Sequence, residues 1–469
     1  MLKDTLKWLD FASDLNVELS QSREEGKDVT GYELKIKELE AMSRDNPQRE
    51  IKAALLLDEM SALPVKQDFP FDEPSDWKGI QKARPTYKEN DLSSWRLSGE
   101  ALYDRIYGAW LGRCVGCLLG QPIEGWFRER IHGLLKETQN YPLHSYISSA
   151  LPEELRKKYE IVDAAKVYGG KLKNWINNVR YAPEDDDTNY TIIGLKIIEE
   201  CGLNFSPEDV AESWLANLPV LHLCTAERVA YRNLINGIAP SLAASFRNPY
   251  REWIGAQIRA DFFGYINPGN PERAAEFAWR DASISHVKNG IYGEMFVAAM
   301  LATAVHKTNV REIIAEGLAQ IPARSRLAAA VKEVFSWKEA GLGWEQAIMR
   351  LHQRYDEKDP HHWCHTIPNA MIVCLGLLYG ESDFEKSIGI AVMSAFDTDC
   401  NGATVGSIMG MILGAKALPE KWIKPLNNQL KSGVDGFGLE LISELAKRTI
   451  DIVKVDKTGE PKREGLPRK

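Results

Sequence analysis

The chain has no extended basic run before its last dozen residues, and its formal charge is −8. A protein that tracks phosphates presents a clustered basic face, so nucleic acid is excluded as the main partner. The amino-terminal MLKDTLKWLDFASDL carries charge in every turn and lacks the apolar core of a signal peptide. Cysteine is scarce: seven residues, an odd number at irregular spacing, exclude a disulfide framework and fit a reducing cytoplasm. Long uncharged runs are missing too. The most apolar stretch has about 16 uncharged residues before Lys416, short of the roughly 20 that a bilayer requires. A second such stretch is broken by Arg113, so no membrane span is expected. Alternating β-type runs are almost absent, and the fold class expected is all-α.

What is present is enough for a large core: 44% hydrophobic residues and 13 tryptophans. Residues 1–62 read as a helical N-terminal extension, with Asn46 capping a helix that starts at Pro47. Residues 63–98 are rich in proline, aspartate and tryptophan, and read as a linker packed along the main domain. Long helical patterns then follow one another through 99–455, and Ser206-Pro207-Glu208-Asp209 is a clear helix start. Residues 456–469 form a basic tail expected to fray.

Two stretches share one unusual pattern. YGAWLGRCVGCLLG has glycine at 108, 112, 116 and 120, and DTDCNGATVGSIMGMILG has it at 402, 406, 410 and 414. Residues four apart stack on one helix face, and each glycine costs a helix roughly 1 kcal/mol against alanine. Close approach of two helix backbones is the reason such a pattern calls for, and it would bring the polar residues flanking the two helices together.

Those flanks hold the chemistry. Glu184-Asp185-Asp186-Asp187-Thr188 precedes one apolar helix, and Asp397-Thr398-Asp399 precedes another. One or two acids at a helix start are ordinary caps. Three consecutive aspartates exceed that need, and their repulsion asks for a counter-charge. Carboxylates select hard cations, and two helix ends carrying them suit a pair of ions about 3.5–4 Å apart, as in two-metal hydrolytic sites. Other motifs are weaker. The Cys114/Cys117 pair sits inside a glycine-stepped helix and reads as small buried thiols. His361 and His365, four apart around Cys364, look more like a transition-metal site, but their place after Asp359-Pro360 reads as a helix start or loop contact.

Taken together these residues resemble the ADP-ribosylglycohydrolases. The family's YGAxLGxxxGxxLGxPxE is matched by Tyr107 to Glu124, its acidic Asp-Asp-Thr motif by Asp185-Asp186-Asp187-Thr188, and its Asp-Thr-Asp-Thr by Asp397-Thr398-Asp399-Cys400. Its Ser/Thr-His motif with Asn-Gly following is matched by Ser285-His286 and Asn289-Gly290, all in family order. The resemblance implies two divalent cations, Mg²⁺ or Mn²⁺, held by Asp185, Asp186, Asp187, Asp397 and Asp399. It gives Glu124 an acid–base role alongside Asp186 and Asp399, and assigns His286, Asn289, Gly290 and Arg259 to substrate binding. The departures are Cys400 for the family's threonine, Cys117 for an aspartate, and a glycine loop reduced to Ile254-Gly255-Ala256-Gln257-Ile258-Arg259. Phe262, Phe263, Tyr265 and Phe437 are either stacking platforms for a base or sugar, or core.

The activity implied is metal-dependent hydrolysis of an N- or O-glycosidic bond in a small or protein-linked ADP-ribosyl or related ribofuranosyl conjugate. A hydrolase of another furanoside or nucleoside-like glycoside is the alternative within this chemistry. A non-catalytic ADP-ribose- or metal-binding protein is the alternative outside it.

Overall fold

A computed structural model describes residues 8–86, 97, 99–164 and 172–458. The chain is all-α as expected, with one two-stranded antiparallel ribbon among the described residues, pairing Gln429–Lys431 with Leu439–Leu441. No helix among the described residues is long and apolar enough to cross a membrane.

Helix α1 (Phe11–Glu24) and two further helices, Tyr32–Glu40 and Pro47–Ser61, close around a small core of their own that includes Leu15, Leu19, Ile36, Leu57 and Met60. The boundaries follow local chemistry: Asp10 caps α1, and Asn46 caps the third helix with Pro47 in its first turn. Residues 70–84 then lie on the larger body. Arg326 Nη2 donates to Glu73 Oε2 at 2.8 Å, Trp279 Nε1 donates to Ser75 O at 3.0 Å, and Arg84 Nε donates to Gln320 O at 2.9 Å. Residues 87–96 and 98 of the expected linker, and 459–469 of the expected tail, lie outside the described residues.

The larger body is organised around α2 (Gly99–Gly120), α3 (Asp186–Cys201), α4 (Lys288–Ala304), α5 (Thr366–Gly380), α6 (Phe384–Met393), α7 (Thr398–Leu413) and α8 (Ile442–Thr458). In α4, α5 and α7 every residue from the second turn on is buried or nearly so, which is why their sequences are apolar all round. Helices α5, α6 and α7 pack in succession, α4 lies across α5 and α7, and α2 lies along α7.

Candidate metal centre

The two glycine-stepped helices run antiparallel with their backbones in contact. A β-carbon on Gly108 would meet Gly410 O, one on Gly112 would meet Gly406 O, and one on Gly116 would meet Gly402 O. Glycine is therefore required along the seam. Because the pairing is antiparallel, the last turn of α2 meets the first turn of α7, and Thr398 Oγ1 donates to Gly120 O at 3.0 Å. The chain leaving α2 toward Glu124 thus emerges beside Asp397 and Asp399.

Helix α3 is brought to the same place by a buried cation. Arg113, in the middle of α2, donates from Nη2 to Asp187 Oδ1 at 3.0 Å and to Asp187 O at 2.7 Å, and from Nη1 to Asp261 Oδ2 at 2.7 Å. Arg113, Asp187 and Asp261 are all buried. In α2 the only signal for this residue was a single charge in an otherwise apolar run. Its partner lies 74 positions away, which sequence spacing does not reveal.

Around this junction the acids converge. Ligand atoms of Glu124, Asp397 and Asp399 lie within 4.8 Å of one another, as do those of Asp187, Asp399 and Cys400, and those of Cys117, Asp185 and Asp187. Asp186 is half-buried and outside these groups, but its charge raises the carboxyls of Glu124, Asp187 and Asp397. Asp185 is the helix cap: Oδ1 accepts from Asp187 N at 3.0 Å while Oδ2 accepts from Gln121 Nε2 at 2.7 Å. Glu184 turns aside to Asn189 and His222. The turn before α7 is strained, with Ala395 and Phe396 at φ 62° and 56°, a conformation that costs about 1–3 kcal/mol per residue. Asn369 braces it, accepting from Asp397 N at 3.3 Å and from Asn401 Nδ2 at 2.7 Å. Gln121 and Asn369 are supporting residues that no motif singled out.

The cluster is electrostatically incomplete. Asp187 Oδ2 and Asp399 Oδ1 are buried without a hydrogen-bond partner. Burial pushes the Asp187 carboxyl up to about 8 although Arg113 pulls it down, and pushes Asp397 up to about 6. Asp185 and Asp399 are raised well above the usual carboxylate range by burial and by their acidic neighbours. Glu124 is exposed to water within a crowd of protein atoms; that crowding, then Asp397 and Asp186, push it up to about 8. So many carboxylates cannot ionise side by side without compensating positive charge. Divalent cations fit this need: most of the donors are hard oxygens, and two of those oxygens are unsatisfied.

The residues assigned to substrate binding are buried. Arg259 is fully buried and donates to Asp281 Oδ2, Glu227 Oε1, Gly255 O and Ser285 Oγ. His286 is buried, with Nδ1 2.8 Å from Ser285 Oγ, and burial holds its ring well below the usual histidine range. Asn289 Nδ2 donates to Glu73 and Glu252, and Oδ1 accepts from Leu327 N at 3.0 Å. A β-carbon on Gly290 would lie 2.6 Å from Arg251 O. Phe262, Phe263 and Tyr265 are core; Phe437 is partly buried and packs on it, beneath the Arg448 guanidinium. A cavity of about 730 Å³ bordered by Tyr103, Tyr107 and Lys447 touches none of the clustered acids.

The histidine run is a helix start, and it meets the N-terminal extension. His365 caps α5 through Nδ1, which accepts from Ile367 N at 3.1 Å. Glu24, the last residue of α1, faces Nε2 of His361, His362 and His365 at 3.5, 3.5 and 3.6 Å, and Arg326 at 3.8 Å. The donor count resembles a metal site, but the protons do not. Nδ1 of His361 accepts from Trp253 Nε1 and Nδ1 of His362 accepts from Asp356 N, so each neutral ring carries its proton on Nε2. Three N–H groups and a guanidinium therefore surround one carboxylate. Burial works against ionised Glu24, but His361 and His362 hold its carboxyl well below the usual range.

The profile of the ADP-ribosylglycohydrolase family matches residues 98–458. The chain belongs to the ADP-ribosylglycohydrolase family. An uncharacterized protein of Archaeoglobus fulgidus is 24% identical over 351 residues, which is 74% of this chain and 97% of that protein. A solved structure described as an ADP-ribosylglycohydrolase-related protein complex is similar with 18% identity and a TM-score of 0.46, over 76% of this chain and 99% of that one. The matched region contains every clustered acid and Arg113, and leaves out α1 and Glu24.

Proposed function

We propose that the protein is a metal-dependent glycohydrolase that cleaves an N- or O-glycosidic bond of an ADP-ribosyl or related ribofuranosyl conjugate. The observation that carries this reading is the meeting of Glu124, Asp187, Asp397 and Asp399 at one helix junction, with buried oxygens of Asp187 and Asp399 unpartnered. Asp185, Asp187, Asp397 and Asp399 would hold two divalent cations, Mg²⁺ or Mn²⁺, with Asp186 at the edge of the same charge field. When bound, such ions supply Lewis acidity toward sugar hydroxyls and toward water.

The chain's own part is proton handling and restraint. Glu124, whose carboxyl is held above the usual range first by the crowding around it, gives a proton to the leaving atom as the bond from that atom to the anomeric carbon breaks. A water oxygen bonds to the anomeric carbon and yields a proton to an ionised carboxylate of the cluster, so the net reaction is hydrolysis. Arg113 and Asn369 fix the carboxylates by binding their backbones and side chains. ADP-ribosyl-arginine, ADP-ribosyl-serine, simple nucleosides and synthetic furanosides, assayed with and without Mn²⁺, test the reading. Metal-dependent sugar release from an ADP-ribosyl compound supports it. Release only from nucleosides or furanosides selects the related hydrolase, and release from none selects a binding protein, the reading Cys400 favours.

A further inference from the structure

Two sulfur atoms border the acid cluster, and each is grouped with the Asp187 carboxylate. Cys400 Sγ lies within 4.8 Å of carboxylate oxygens of Asp187 and Asp399, and Cys117 Sγ lies within 4.8 Å of those of Asp185 and Asp187. A thiol that merely fills space has no use for such neighbours. Cys374, in α5, shows that case: it is fully buried, and no charged group acts on it. Asp187 and Asp399, the two acids grouped with Cys400, each have a buried oxygen that lacks a partner. Cys400 therefore faces donors that are already poised for a cation.

Sulfur changes which cation. Oxygen-only sites suit Mg²⁺, whereas a thiolate favours borderline and softer first-row ions. We propose that Asp187, Asp399 and Cys400 form a mixed oxygen–sulfur position that takes Fe²⁺, Co²⁺ or Zn²⁺ in preference to Mg²⁺. The inference rests on the reading of the cluster as a metal centre and sharpens it. On binding, the Cys400 thiol releases its proton to water as the sulfur–metal bond forms, and no electron is transferred. Cys117 is next to the cap residue Asp185, whose oxygens already serve Asp187 N and Gln121, so it is the less favoured sulfur.

The test is optical and needs no substrate. Metal-free full-length protein is titrated with Co²⁺, recording visible d–d bands, which report binding, and near-ultraviolet sulfur-to-cobalt absorption, which reports a thiolate ligand. Wild type should show both sets, saturating together. Cys400→Ser, with Cys400→Thr as the second variant should the first fail to fold, should keep the visible bands and lose the near-ultraviolet band. Co²⁺ should then bind at least about tenfold more weakly, and Mg²⁺, followed by its effect on the melting temperature, should be affected less. Cys117→Ser should keep the near-ultraviolet band. Visible bands without near-ultraviolet absorption in wild type would overturn the sulfur ligand and leave the metal centre standing. Loss of the band in Cys117→Ser but not at Cys400 overturns the assignment. Absence of any Co²⁺ spectrum from folded protein overturns the inference and the proposed function together.

Discussion

Thr398 hands its hydroxyl proton to the carbonyl of Gly120 at 3.0 Å, joining the end of one glycine-stepped helix to the beginning of the other. That bond marks the place where the seam between α2 and α7 delivers its acids. The relation between backbone packing and chemistry is direct here. Remove the glycines and the helices part, and Glu124 separates from Asp397 and Asp399.

The seam is the first thing to test. Gly112→Ala and Gly406→Ala each put a methyl on a backbone carbonyl of the opposite helix, and a backbone cannot swing aside as a side chain does. A loss of about 3 kcal/mol or more in urea unfolding is expected, at or above the upper end for overpacking. Gly99→Ala, where nothing lies within 4 Å, should change stability by no more than about 0.5 kcal/mol. Equal effects at the three positions would contradict the seam.

Arg113 gives a second prediction. Arg113→Met leaves Asp187 and Asp261 buried without their shared cation, and breaking such a pair costs about 3–5 kcal/mol. Urea denaturation measures it. A variant as stable as wild type would mean that Arg113 does not tie α2 to α3.

Much of this was legible in the chain. Glycines at every fourth position predict a close helix pair that brings its flanking acids together, and the junction at Gly120 and Thr398 does both. What could not be read was pairing at long range. Arg113 gave no hint of Asp187 and Asp261, and Glu24 gave no hint of His361, because a charge on a helix does not name its partner. The Arg259, His286 and Asn289 assignments came from motif order alone. Order does not say which of their atoms the protein itself engages: Arg259 and Asn289 are hydrogen-bonded within it, while His286 Nε2 is buried without a partner.

The crowded carboxyls predict a particular pH dependence in the metal-free protein. Asp187, Asp397 and Glu124 have folded values of about 8, 6 and 8, above the roughly 4 of an unfolded chain. Between those limits the folded state holds more protons, so the cluster's contribution to stability declines as pH rises from about 4 to about 8. Bound cation supplies the missing charge and should remove this decline. The melting shift produced by Mn²⁺ should accordingly be larger at pH 8 than at pH 5.5. A shift that shrinks toward pH 8 would contradict the electrostatic account.

Glu124 is the proton carrier in the proposed reaction. Glu124→Gln should lower kcat/KM by about 10²–10⁴-fold and abolish the basic limb of the pH–rate profile. Metal binding, read as a melting shift, should be largely retained. Unchanged activity would remove Glu124 from the reaction.

The most direct measurement is the melting temperature of the full-length protein as Mn²⁺ is raised to millimolar concentration. A cation held at a hundred times its Kd adds about 2.7 kcal/mol to the native state, and Asp399→Asn should lose most of that gain. A melting curve that Mn²⁺ leaves in place, or an Asp399→Asn protein that responds as wild type does, would contradict a shared cation centre between α2, α3 and α7.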